Sequence, residues 1–175
     1  MIGTPHNPFS ACYVRPGAIP WLGDLEALYV RWKKLGCCAQ IVGPLGSGKS
    51  TLLSQLVNRA ARDGITMVAL DDATVRSPLR VQYARFRHRC LLVTAHYDLG
   101  LKTLCQLHVD VENARLVIAH LLRETPSYIP SDATLVSLLT EHRGNFREVL
   151  FALYDYYERM LSPSDSVVRS GDFRY

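Results

Sequence analysis

The chain has 175 residues, 48% of them apolar and 21% charged, with a net charge of +4. That length suits one compact domain with a small appendage and buries a core without disulfide or metal staples. The charge is too mild to argue for nucleic acid by itself, and no apolar run approaches the roughly 18 residues that cross a bilayer.

Five cysteines (Cys12, Cys37, Cys38, Cys90 and Cys105) are an odd set without C-x-x-C spacing. Three of them sit in or at the start of apolar runs, so free thiols in a reducing cytoplasm are expected rather than disulfides or zinc. The opening "MIGTPHNPFSACYVRPG" has neither the basic start nor the apolar run of a signal peptide.

Residues 1–20 hold four of the nine prolines and predict an extended segment without helix. In "WLGDLEALYVRWKKLG", Leu22, Leu25, Leu28 and Trp32 recur at helical spacing and Gly36 supplies a stop. Trp21 and Trp32 read as packing residues. "CCAQIV" (37–42) predicts a buried strand, and "KSTLLSQLVNRAARDG" (49–64) an amphipathic helix stopped by Gly64. "ITMVAL" (65–70), "CLLVTAH" (90–96) and "TLCQLHV" (103–109) predict three more strands. Continuous apolar strands alternating with helices imply a parallel sheet sandwiched by helices. Beyond residue 110 three helices follow, in "VENARLVIAHLLRE", in "SDATLVSLLTEH" with Ser131 as N-cap, and in "NFREVLFALYDYYERML". The expected organisation is an α/β core with its N-terminal segment over 1–110, a helical lid over 111–161, and a loose polar tail over 162–175.

Between the first strand and the helix after it lies Gly43-Pro44-Leu45-Gly46-Ser47-Gly48-Lys49-Ser50-Thr51. It fits G-x-x-x-x-G-K-[ST] in the strand–loop–helix context that gives the pattern its meaning. The glycines let the backbone curl so that successive N–H groups converge on one anion, and the helix dipole adds to them. Lys49 would reach the β- and γ-phosphates, and Ser50 would offer its hydroxyl to Mg²⁺. ATP with Mg²⁺ is the expected ligand.

A carboxylate at the end of a neighbouring strand should serve the metal, and "MVALDD" (67–72) has that form. Asp71 would hold Mg²⁺ and Asp72 would take the place of a water-polarising glutamate. About 20 residues separate Lys49 from Asp71, room for one helix and one strand. Either the chain is contracted and Asp71 is the metal carboxylate, or "ITMVALDD" is the outer strand and the usual acidic strand is missing.

Three further stretches resemble ATPases of the AAA and ABC types. "LLVTAHYDLG" (91–100) is similar to the strand that ends in a γ-phosphate sensor, which implies that role for Thr94 or His96. "HRGNFREVLFALYDYYE" (142–158) is similar to the helical lid of the AAA type, where a "GN-x-R-E" turn sets an arginine over the nucleotide; Gly144, Asn145, Arg147 and Glu148 match it. The N-terminal stretch is similar to the one that lines the adenine pocket, which implies base stacking by Tyr13. As a whole the chain resembles small bacterial ATP-binding proteins of this kind, without their clear catalytic glutamate. The resemblance implies slow Mg-dependent ATP hydrolysis coupled to movement of the lid or to an unknown protein partner, and self-assembly as in AAA-type relatives.

The same loop also resembles that of shikimate-type and nucleotide kinases, so a small-molecule kinase is the alternative enzyme. A non-hydrolysing nucleotide switch, on DNA, is the alternative outside enzymology. "VRSPLRVQYARFRHR" (75–89) carries Arg76, Arg80, Arg85, Arg87 and Arg89 with Tyr83 and Phe86 among them. It reads as a solvated helix face with Leu79, Tyr83 and Phe86 toward the core, as a grip on nucleic acid, or as the source of an arginine acting on a neighbouring subunit.

Overall fold

The computed structural model describes residues 7–14, 18–73, 78–123 and 129–161. The expected loose tail over 162–175 lies outside them.

The α/β part holds strands β1 (Cys38–Val42), β2 (Val68–Ala73), β3 (Leu91–Ala95) and β4 (Thr103–Gln106). They form one all-parallel sheet in the order β2-β3-β1-β4. Helices α2 (Leu25–Lys34) and α3 (Lys49–Arg62) cover one face. There Trp32, Leu52 and Leu56 meet Ala39, Ile41, Leu92 and Leu104. On the other face α4 (Pro78–Arg87) lays Val81 and Ala84 on Leu91 and Val93. Leu91, Leu92 and Val93 are all fully buried, and they divide between the two faces because successive strand side chains alternate.

β2 lies about three residues later than the apolar run 65–70 predicts. Ile65 and Met67 instead pack under α2 and α3, leaving the ladder to begin at Val68, whose N–H donates to Cys90 O at 3.0 Å. A further difference is the one-turn helix α1 (Ala11–Val14) in a stretch expected to be extended. Its turn is closed by the N–H groups of Tyr13 and Val14 on Ser10 O.

Helices α5 (Val111–Leu122), α6 (Asp132–Glu141) and α7 (Phe146–Leu161) build a second cluster around Ile118, Leu135, Val149 and Leu153. Their starts follow from local chemistry. Asp110 caps Asn113 N–H, and Ser131 caps Thr134 N–H. α6 ends where Gly144 takes φ +75° and its N–H returns to Leu139 O at 2.7 Å. The N-terminal segment belongs with this cluster rather than with the sheet. Phe9 is buried in it, edge-on to Tyr157, and Asn7 Nδ2 donates to Tyr154 O and Glu158 Oε1.

Candidate functional site

β1 delivers the chain at the C-terminal edge of the sheet, where residues 43–48 turn into α3. Gly46 and Gly48 hold φ of +73° and +87°, which an L side chain rarely adopts. Gly46 also lacks room for anything larger. A Cβ there would meet Asn145 Oδ1 and would stand 2.8 Å from the Phe146 amide nitrogen and 2.9 Å from that of Arg147. The first turn of α7 therefore rests directly on the loop. Lys49 is 7% exposed, and its Nζ donates to Pro44 O at 2.7 Å. Burial lowers its pKa from the ordinary lysine value, while the Asp72 and Asp71 carboxylates pull it back up.

Opposite the loop, the β2–β3 ladder gains one extra residue in β2 between Leu70 and Ala73. Asp72 sits in that bulge with φ +52°. Thr94, buried in β3, ties the bulge together: its Oγ1 donates to Asp71 Oδ1 at 2.5 Å and accepts the Asp72 N–H at 2.8 Å. Asp71 Oδ1 also accepts from Ser50 Oγ at 3.1 Å. Asp72 Oδ1 lies 2.8 Å from His96 Nε2. Two pairs thus result, Ser50 with Asp71 and Asp72 with His96, both beside the lysine.

A cleft of about 900 Å³ joins these groups. That volume is within the range of small-molecule sites. Leu45, Gly46, Ser47, Gly48, Lys49, Ser50, Thr51, Asp71, Asp72 and His96 line it, and so does Arg147 from α7. Of the other residues expected here, Gly43 and Pro44, at the start of the loop, do not line the cleft. A Cβ on Gly43 would come within 2.7 Å of Leu107 O and Ser47 Oγ. Tyr13 is 45% exposed and is not among the lining residues; its neighbour Val14 is. Thr94 does not line the cleft either, and its hydroxyl is occupied in positioning Asp71 and Asp72.

Trp21 was legible as packing only, yet it lines the cleft, with Cζ3 3.6 Å from where a Cβ on Gly48 would stand. A signal for it existed: it falls between Pro20 and Gly23, outside the apolar stripe of α2. Among the described residues, the buried side-chain polar atoms without a hydrogen-bond partner are Trp21 Nε1, Ser47 Oγ and Asn145 Oδ1. All three residues line this one cleft. Buried polar atoms are costly to leave unpaired, so their convergence marks a place suited to a polar ligand.

The oxygen pair of Ser50 and Asp71 is a hard donor set of the kind Mg²⁺ takes alongside phosphate oxygens. Among the described residues no group of three or more His, Cys, Asp or Glu is arranged to hold a metal ion by itself. None of their helices is long and apolar enough to cross a membrane. No protein-family model matches the chain, and no curated protein matches it in sequence.

Proposed function

We propose that this chain is an ATP-binding protein of the additional-strand P-loop type, and a slow Mg-dependent ATPase. The observation that carries the reading is the convergence at one cleft of Lys49, the Ser50–Asp71 oxygen pair and the Asp72–His96 pair. The strand order supports it. β3 lies between the loop-bearing β1 and the acidic β2, as an added strand would. Of the two explanations for the short acidic region, the Ser50–Asp71 contact favours the contracted chain with Asp71 as metal carboxylate. β2 is an outer strand of the sheet, the place the second explanation gave it, so the choice rests on the Ser50–Asp71 contact.

The reaction is transfer of the γ-phosphoryl group to water. The bond from the γ-phosphorus to its bridging oxygen breaks, ADP leaves, and the attacking water gives up a proton as the new P–O bond forms. The loop N–H groups and Lys49 hold the phosphate charge as it shifts toward the leaving oxygen. Mg²⁺ would supply positive charge against that of the phosphates. Ser50 and Asp71 would hold that cation, and buried Thr94 fixes Asp71. Asp72 and His96, 2.8 Å apart, orient the water and take its proton. Arg147 reaches the cleft from α7, so nucleotide would link the helical cluster to the sheet.

Phosphate release from Mg-ATP without a second substrate tests this reading. Lys49→Ala and Asp71→Asn should each lower the rate by roughly 100-fold or more. Nucleotide binding that depends on Lys49, with no release in the native chain, would sink the hydrolase reading. A kinase awaiting an acceptor or a switch would then remain.

A further inference from the structure

The arginine-rich helix differs from its expected packing in an informative way. Val81 and Ala84 face the sheet, at 5% and 6% exposure, but Tyr83 is 67% exposed and Phe86 94%. At 100° per residue the two rings stand on the side of α4 opposite Val81 and Ala84. Among the described side chains of the helix, two small ones pack on the sheet and both aromatic ones face water. Gln82, Arg87, His88 and Arg89 beside them are exposed too.

Charge is concentrated here. From Ala73 to Tyr97 the sequence has five arginines and no aspartate or glutamate, a net charge of +5. The whole chain carries +4, so everything outside this stretch sums to −1. Among the described residues neither Arg87 nor Arg89 forms an ion pair, and neither Tyr83 nor Phe86 stacks on another ring. Two large rings held in water beside unpaired cations have no evident role in folding.

We propose that the outer face of α4 and its C-terminal end form a docking surface for single-stranded nucleic acid. The partner must be a polyanion that also presents flat unsaturated faces. Phosphodiesters between unpaired bases supply both, with arginines on the phosphates and rings on the bases. A duplex hides its base faces, and an acidic protein surface matches the charge without the rings. Tyr83 and Phe86 are three residues apart, a rise of about 4.5 Å, which lets both serve one strand. The surface does not depend on the nucleotide reading of the cleft.

Fluorescence anisotropy of a labelled oligothymidylate of about 20 nucleotides tests it, on the full chain at low salt, with and without Mg-ATP. The native chain should bind, and should prefer the single strand to a duplex of equal length. Phe86→Ala and Tyr83→Ala should each weaken binding roughly 5- to 100-fold while circular dichroism and Tm stay unchanged. Arg87→Glu with Arg89→Glu should flatten the salt dependence of the remaining affinity. No binding in either nucleotide state overturns the proposal. So does equal capture of single strand, duplex and polyglutamate with Phe86→Ala unaffected, since the surface would then read charge alone, as for an acidic protein.

Discussion

Asp71 and Asp72 show how one residue of backbone sorts two like side chains into different partnerships. Without the extra residue in β2, neighbouring carboxylates would alternate across the sheet. With it, Asp71 meets Ser50 and Thr94, and Asp72 meets His96. The left-handed φ at Asp72 costs about 1 kcal/mol, which aspartate tolerates better than most residues. Trp21 offers the most direct view of the cleft. The chain has two tryptophans, and Trp32 is fully buried with its Nε1 on Leu91 O at 3.4 Å. Nucleotide binding should therefore change tryptophan emission through Trp21. The expected result is a titratable change in the native chain that Trp21→Phe abolishes and Trp32→Phe retains. An unchanged spectrum at saturating ATP would place the ligand away from the indole.

Among the elements, β1 is organised by one polar side chain inside an apolar run. Gln40 is fully buried, its two Nε2 N–H groups shared among Asp98 Oδ1, Leu101 O and Thr103 Oγ1 and its Oε1 accepting the Leu99 N–H at 2.9 Å. It fastens the β3–β4 connection to the central strand. Gln40→Leu should cost about 2 kcal/mol or more, because it strands several groups at once. Equilibrium urea unfolding measures this, with the slope unchanged if the fold is retained. α2 and α3 are clasped at their exposed ends. Asp63 accepts from Arg59 Nη1 at 2.6 Å and from Tyr29 Oη at 2.8 Å, and the Arg59 guanidinium lies 4.4 Å from the Tyr29 ring centroid. The Arg59 bond first, then that of Tyr29, holds the Asp63 pKa below its ordinary 3.8. A depressed carboxylate contributes stability above its unfolded pKa and loses it as pH falls through the folded one. Asp63→Asn should therefore lower Tm at neutral pH, with the gap to the native chain closing below about pH 3.8. A constant gap across that range would exclude the carboxylate as its cause.

At the scale of the whole molecule, the cleft is bounded on one side by the sheet's C-terminal edge and on the other by the first turn of α7. A ligand that touches both must stabilise the chain as a unit. At 100 times its Kd, Mg-ATP should add about 2.7 kcal/mol, and a chain of this size gains roughly 2–4 °C in Tm per kcal/mol. Differential scanning fluorimetry with and without Mg-ATP reads the shift, and Lys49→Ala should remove it. Gly46→Ala should lose both the shift and some basal stability, because its Cβ would press on α7.

Elements with a local cause were legible in the sequence. The glycine-rich turn between β1 and α3, the stripe of α3, the Asp110 and Ser131 caps and the parallel strands follow from spacing, turn chemistry and side-chain period, which act within a few residues. Ser50 and Asp71 were singled out by residue type alone; their contact depends on residues brought together across the sheet. Strand order, the bulge at Asp72, the seat of α7 on Gly46 and the place of Trp21 at the cleft came only with tertiary structure. So did the outward rings of α4: Tyr83 and Phe86 read as core until packing showed that, among the described side chains of the helix, Val81 and Ala84 are the ones that reach the sheet, that of Leu79 lying outside the described ones. The physical reason is the same in each case: hydrophobicity and period say which residues prefer burial, but the space available on each face is set by elements distant in the chain.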